Sequence, residues 1–183
     1  MADRLHFTGN DEADRLIFED PFALLIGFAL DQRVPVPKAF MGPFVLRERL
    51  GSLDPRVVAE ADLEPIFRQI PAIHRFPAMM ARQTHALAAH IVEVYDGDAA
   101  AVWTSATTSE ELRANIDALP GYGKMKVKAL GSVLFKRFGV ELAEPLVPWH
   151  PTLGDVDSAE ALAEYQAGKR ARKAAARAAQ GKA

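Results

Sequence analysis

The chain of 183 residues contains no cysteine, and this absence excludes several kinds of chemistry. Without thiols there are no disulfides, thiolate zinc sites, cysteine nucleophiles or cysteine-ligated iron–sulfur clusters. No apolar run reaches the roughly 20 residues that cross a bilayer; the longest, residues 22–30, is about half that length. The first residues also lack the basic start and apolar stretch of a secretory signal. We therefore expect a cytoplasmic protein without a membrane segment.

Acidic residues are absent from two segments that are rich in basic residues. Residues 118–140 carry five cations and no acid, and residues 166–183 carry six cations and no acid. All 24 acidic residues lie elsewhere, so the formal net charge of −2 conceals an acidic body with two basic segments. This distribution favours an anionic partner that binds at a defined place. For residues 166–183 the alternative interpretation is a solvated tail rich in lysine and alanine.

Hydrophobic periodicity and capping residues predict an all-α fold with only weak strand signals, the best of them at residues 5–7. The length fits one compact domain over residues 1–165, followed by a flexible basic tail over residues 166–183. Residues 140–154 are rich in proline and are predicted to be irregular. The predicted helices cover residues 21–31, 38–50, 62–70, 78–95, 99–103, 108–119, 124–138 and 161–165, and a further short helix is predicted to open at residues 54–55.

The most informative motif lies at residues 119–124, between two predicted amphipathic helices. Its proline ends the first helix, and its two glycines permit positive φ angles and a close approach of the backbone to a ligand. The amides that begin the second helix then suit one phosphate of a nucleic-acid backbone, although an ordinary helix–helix turn with solvated lysines is the alternative. The predicted contact residues are Leu119, Pro120, Gly121, Tyr122, Gly123, Lys124, Lys126 and Lys128.

This Leu-Pro-Gly-Tyr-Gly-Lys motif resembles the hairpin of the helix-hairpin-helix (HhH-GPD) DNA glycosylase superfamily of base-excision repair. The segment Asp-Pro-Phe-Ala-Leu-Leu-Ile at residues 20–26, which leads to Gln32, is also similar, and the resemblance covers roughly residues 20–140. The chain looks most like a small bacterial branch whose members end in a lysine- and alanine-rich tail. The resemblance implies a two-lobed helical HhH-GPD-like fold and double-stranded, damaged DNA as the partner, which places the protein at the nucleoid.

The resemblance also implies that the target nucleotide is extruded from the duplex and that inserted side chains fill the gap. Gln32 matches the gap-filling glutamine of the family, with a helix C-cap as the alternative. The loop over residues 71–77 stands where a wedge is expected, and Ile73 is its best apolar candidate unless that side chain is tucked into the core. His74 in this loop is a candidate contact to a base or phosphate, and Tyr122 packs either on a DNA sugar or on its own helices.

The catalytic residues of the family are not matched. Met125 occupies the position of the nucleophilic lysine, and because a thioether cannot form a Schiff base, β-lyase activity is not expected. The family's catalytic aspartate would fall within residues 143–147, where Glu144 is the only carboxylate. Asp155 and Asp31 are the other candidates for activating water or stabilising a cationic sugar, and the sequence does not choose among the three.

Two functions remain open, and no cofactor or metal is expected for either. The iron–sulfur cluster of the family is excluded, whereas the hairpin leaves room for a monovalent cation. The first function is a monofunctional DNA glycosylase, and the second is a non-catalytic protein that binds damaged or distorted DNA on the same scaffold. A third and weaker interpretation is a helical domain that contacts nucleic acid only through its tail. A carboxylate that lines a pocket near the hairpin would favour the enzyme. The two tryptophans, Trp103 and Trp149, are expected to be packing residues.

Overall fold

Most of the helices begin where the sequence supplies a capping residue or a proline. The structure, a computed structural model, describes residues 2–181, and within that range the regular structure is helical without strands. The α-helices are α1 (Asp11–Glu19), α2 (Pro21–Leu30), α3 (Val36–Leu50), α4 (Pro55–Glu60), α5 (Leu63–Arg68), α6 (Pro77–Tyr95), α7 (Ala101–Thr104), α8 (Ser109–Asp117), α9 (Lys124–Phe138) and α10 (Ala159–Gln180). Two short 3₁₀ helices, Glu141–Leu146 and Leu153–Asp155, lie between α9 and α10.

Side-chain caps fix the starts of several helices. The carboxylate of Asp20 accepts hydrogen bonds from the amides of Phe22 and Ala23 at the start of α2. Thr108 caps α8 and Ser158 caps α10 in the same way. These contacts satisfy amides that have no partner within their own helix. The amphipathic helix α1 was not predicted from the sequence, although Asn10 caps it and its first turn is acidic.

The core is built around α2, whose residues are buried over nearly its whole length. This explains why residues 22–30 are almost uniformly apolar, since a helix that is surrounded by protein needs no polar face. The helix packs against α1, α3 and α6. Gly27 allows α3 to approach closely, because a β-carbon there would lie 2.4 Å from the ring of Phe40. Phe28 meets the same ring edge to face at 5.1 Å between centroids.

The remaining helices form two further groups around this centre. Helices α4 and α5 pack on α6, whereas α9 packs on α8 and on both 3₁₀ helices. The rings of Phe18 in α1 and Phe138 in α9 stack at 5.1 Å and join the first group to the last. The C-terminal half of α2 and the N-terminal end of α9 lie close together, where side-chain hydrogen bonds described below connect them.

Several boundaries differ from the sequence-based expectations. Residues 5–7 form no strand, and Leu5 and Phe7 are instead buried in the helical core. Helix α3 begins at Val36, two residues before the predicted start. The expected boundary between residues 165 and 166 falls inside α10, which continues to Gln180 as one helix. The last two residues of the predicted tail, 182 and 183, lie outside the described part of the chain. Between residues 2 and 181, no helix is both long enough and apolar enough to span a bilayer.

Candidate nucleic-acid interface

The hairpin turn at residues 119–123 connects α8 to α9, and its two glycines differ in backbone conformation and in surroundings. Gly121 has a φ of +83°, and a β-carbon there would overlap the side-chain amide of Gln83. Gly121 is therefore required by the turn itself. Gly123 has an extended backbone with φ −117° and ψ −177°, so it does not use the positive φ that glycine permits. A β-carbon on Gly123 would meet nothing within 4 Å, which leaves the surface beside it open to an approaching ligand.

The N-terminus of α9 is exposed at this turn. Gly123 is the N-cap residue, and no side chain of the described residues caps the helix. Gly123, Lys124 and Met125 are all exposed, and Lys128 is exposed one turn further along. A shallow cavity over the turn is lined by Gln32 and Gln83 together with Gly123, Lys124 and Met125. The arrangement combines helix amides without a side-chain cap, the positive end of the helix dipole and two exposed cations, a combination that suits an anion.

The C-terminal half of α2 anchors this hairpin through its backbone carbonyl groups. The Tyr122 hydroxyl donates to Leu25 O at 2.6 Å, and Lys126 Nζ donates to Ala29 O at 3.0 Å. Gln32 Nε2 donates to Ala29 O at 3.1 Å, and His74 Nε2 pairs with Leu30 O at 3.1 Å. Ala29 O and Leu30 O belong to the last turn, where a helix leaves its carbonyls without an intrahelical partner, whereas Leu25 O lies further back in α2. The hairpin and the loop at residues 71–76 are thus both fixed to the same end of α2.

Three of the predicted hairpin contacts point into the protein instead of outward. The Tyr122 ring is buried, and burial raises the pKa of its hydroxyl well above the ordinary value. Lys126 also donates to Gly121 O at 3.0 Å, and its partial burial lowers its pKa to about 8 although the nearby Asp31 acts in the opposite direction. The Leu119 side chain is buried too. These residues support the turn, so Gly121, Gly123, Lys124 and Lys128 are left as the exposed ones among the predicted contacts, and Pro120 is half-buried.

The predicted wedge loop places its two candidates in the interior. Ile73 is 2% exposed and packs in the core, so it cannot serve as an apolar wedge. His74 is 1% exposed, and its Nδ1 accepts the amide of Phe76 at 3.0 Å, so that Nε2 carries the proton that bonds Leu30 O. Burial lowers the pKa of His74. The exposed apolar side chain is instead Ile70, directly before this loop, with 92% of its surface accessible.

Gln32 lies at the surface beside the hairpin, but its amide is already engaged. Besides its bond to Ala29 O, Gln32 Nε2 donates to Gln83 Oε1 at 3.1 Å. The side chain therefore caps α2 and joins it to α6, as in the alternative interpretation from sequence. A gap-filling role would require Gln32 to give up both hydrogen bonds.

The three candidate carboxylates have different surroundings. Glu144 is exposed in the first 3₁₀ helix. Asp155 pairs with Lys136 and accepts the amide of Thr152 in a capping box, and these contacts lower its pKa although burial acts in the opposite direction. Asp31 differs from both because its Oδ1 is buried and has no hydrogen-bond partner among residues 2–181. Burial raises the pKa of Asp31, while Lys169 and Lys126 oppose the shift.

A second cavity, of about 380 Å³, opens between α9, residues 149–152 and α10. Met125 and Trp149 border it and are 83% and 96% exposed, respectively, so the expectation that Trp149 is a packing residue is wrong. Tyr165 of α10 also lines it. The described residues that line this cavity include three cations and no carboxylate: Lys128, Lys169 and Arg172.

Sequence reasoning missed Trp149, Ile70 and Gln83 as surface residues of this region. For Trp149 a signal was available, because prolines at positions 148 and 151 prevent a helix that could bury the ring. Nothing in the local sequence distinguishes Gln83 from other polar residues of α6. No three histidine or acidic side chains of the described residues cluster closely enough to hold a metal ion. Comparison with protein-family models, with curated proteins and with solved structures gives no match for this chain.

Proposed function

We propose that this chain is a base-excision DNA repair protein that binds duplex DNA through its hairpin and hydrolyses the N-glycosidic bond of an extruded base. The observation that carries the proposal is the exposed, uncapped N-terminus of α9 behind a glycine with open space around it. Such a turn can approach the DNA backbone closely enough for its amides to donate to one phosphate. Lys124 and Lys128 add charge without reading the base sequence.

The cavity beside the hairpin suits the extruded base. An exposed indole offers a planar face on which a nucleobase can stack, and Met125 adds a polarizable apolar wall. The cations on the rim suit the phosphates on either side of the extruded nucleotide. A cavity of about 380 Å³ falls within the size range of small-molecule sites. The exposed thioether of Met125 cannot form a Schiff base, so the proposed reaction is hydrolysis without strand cleavage.

Asp31 is the best supported catalytic carboxylate of the three. Its unpartnered Oδ1 can accept a proton from the water that adds to C1′ of the sugar, while the base departs with the electrons of the glycosidic bond. Asp31 influences the pKa of Tyr165 and is itself influenced by Lys169, and both residues line the cavity that holds Trp149. Because Oδ1 of Asp31 is buried, the water and the sugar reach it only after the residues that cover it move.

The second candidate function, a non-catalytic protein that binds damaged DNA, is favoured by one observation. The described residues that line the two cavities beside the hairpin include no carboxylate. A protein of this kind would hold the extruded base between Trp149 and Met125 without cleaving it. Both candidate functions share the same DNA contact and differ only in whether an abasic product forms.

The experiment that tests the proposal is incubation with a panel of duplexes that each carry one damaged or mispaired base, followed by detection of abasic sites. We expect product from at least one duplex, and a loss of about a hundredfold or more in the excision rate for Asp31→Asn. Asp62→Asn, at an exposed position, is the matched control and keeps the wild-type rate. Tight lesion binding without any product would establish the non-catalytic function, and absence of both binding and product would overturn the proposal.

A further inference from the structure

The distal half of α10 carries a stripe of cations along one face. Arg170, Lys173 and Arg177 follow each other at spacings of three and four residues, which places them on the same side of an α-helix. All three are exposed. At a rise of about 1.5 Å per residue the stripe is about 10 Å long. We call these three residues the basic stripe.

The basic stripe lowers the stability of α10 in the isolated protein. Like charges at these spacings repel each other, and no acidic residue between positions 166 and 180 offsets them. Residues 170–181 are exposed, so this half of the helix gains no stability from apolar burial. The frequent alanines compensate in part through their high helix propensity. A polyanion laid along the stripe would turn the repulsion into attraction.

A groove of about 210 Å³ continues the basic stripe toward the body of the protein. One wall is residues 34–36, and the other is α10, which contributes Lys169 together with Arg170 and Lys173 of the stripe. The described lining residues include no carboxylate. Lys169 also lines the cavity that holds Trp149. The groove therefore connects the basic stripe to the site proposed for the extruded base.

We propose that the basic stripe and this groove form a second binding surface for the sugar–phosphate backbone of duplex DNA, separate from the hairpin. The choice of DNA as the polyanion rests on the proposed function. A membrane surface fits less well, because residues 166–181 contain no large apolar side chain that could enter the lipid. In this arrangement α10 lies along the DNA while the hairpin holds another phosphate.

The test compares two triple variants that remove the same number of positive charges. The first is Arg170→Ala, Lys173→Ala and Arg177→Ala, which preserves the helix because alanine is the best helix former. The control is Arg15→Ala, Arg82→Ala and Arg113→Ala, at exposed positions outside the groove. Affinity for a 20-base-pair duplex is measured by fluorescence anisotropy over a series of salt concentrations.

The stripe variant is expected to lower the slope of log affinity against log salt by about 0.9 for each phosphate contact that is lost, whereas the control changes it little. Equal slopes for the two variants would overturn the inference and leave the proposed function standing. If the wild-type protein binds no duplex at all, the proposed function fails together with this inference. Tighter binding of the wild type to polyglutamate or to anionic vesicles than to duplex would also overturn it.

Discussion

At the scale of single residues, the hairpin depends on buried polar groups that hold it to α2 as well as on its exposed residues. Lys126 was predicted to be a phosphate contact because it follows the glycine turn, but its amine bonds Ala29 O and Gly121 O. The sequence fixes the position of a residue along a helix. It does not show which neighbouring element covers that face, and here the end of α2 covers it.

The lowered pKa of Lys126 gives a pH-dependent contribution to stability. Its folded pKa is about 8, against an ordinary value of 10.5, so the unfolded chain binds more protons between these limits. The contribution is present above pH 10.5 and is lost as the pH falls through about 8. Between pH 8 and 9.5, the free energy of unfolding should therefore rise more steeply for the wild type than for Lys126→Met.

Urea denaturation at several pH values in this window measures the difference. Lys128→Met is the matched control, because Lys128 is an exposed lysine of the same helix. Its unfolding free energy should follow the wild-type pH dependence. If the unfolding free energies of the wild type and of Lys126→Met rose equally with pH, the result would contradict the buried placement of the amine.

At the scale of elements, the sequence predicted the helices well and the loop contacts poorly. The bounds of α9 and the start of α2 agree with the prediction, because glycines, a proline and a capping aspartate mark them locally. Ile73 and His74 were assigned to a DNA contact because their loop contains prolines and appeared free. The loop is instead pinned by a hydrogen bond from His74 to α2, a contact across 44 positions that no local pattern encodes.

The two hydrogen bonds of the neutral His74 ring should make the free energy of unfolding decrease as the pH is lowered. Burial lowers its pKa below the ordinary 6.5, so its contribution to stability is present above pH 6.5 and is lost as the pH falls through the lowered value. In His74→Gln, the amide can still donate to Leu30 O but does not titrate. At pH 7 this variant should be less stable by about 1–2 kcal/mol, because the amide of Phe76 loses its acceptor.

Unfolding free energies at pH 7 and pH 5 check this expectation. The difference between wild type and His74→Gln should shrink toward pH 5, since only the wild type must break a hydrogen bond to protonate the ring. A difference that stays constant over this range would show that His74 is not buried in its neutral form.

At the scale of the whole molecule, the separation of charge is the property that the sequence predicted most directly. Two basic segments distant in the chain meet in space, since Lys128 of α9 and both Lys169 and Arg172 of α10 border one cavity. Composition alone favours an anionic partner, which stays a prediction. The two segments come together only because α10 continues past Tyr165 and passes beside α9. The sequence did not predict this, since the alanine-rich residues beyond Tyr165 fit a solvated tail as readily as a helix.

The candidate site was predicted only in part for the same reason. The hairpin motif is local, so its position between α8 and α9 could be predicted from the sequence. The difference between Asp31 and the other carboxylates depends on burial by helices that are distant in the chain. Exposure of Trp149 likewise depends on which elements leave it uncovered. Such properties follow from tertiary packing, which a single sequence does not show.

The central claim is that the backbone of the hairpin contacts a DNA phosphate, and Gly123→Val tests it most directly. The extended backbone and open surroundings of Gly123 accept a side chain without a clash, so the fold is kept, and the poorer N-cap residue should lower the melting temperature by only about 2–4 °C. Ala114→Val, at an exposed position of α8, is the control for an added branched side chain. Equilibrium affinity for duplex DNA should fall about tenfold for Gly123→Val, the loss of about 1.4 kcal/mol, and should stay unchanged for the control. Wild-type affinity in Gly123→Val would contradict the claim, because the hairpin would then lie outside the interface.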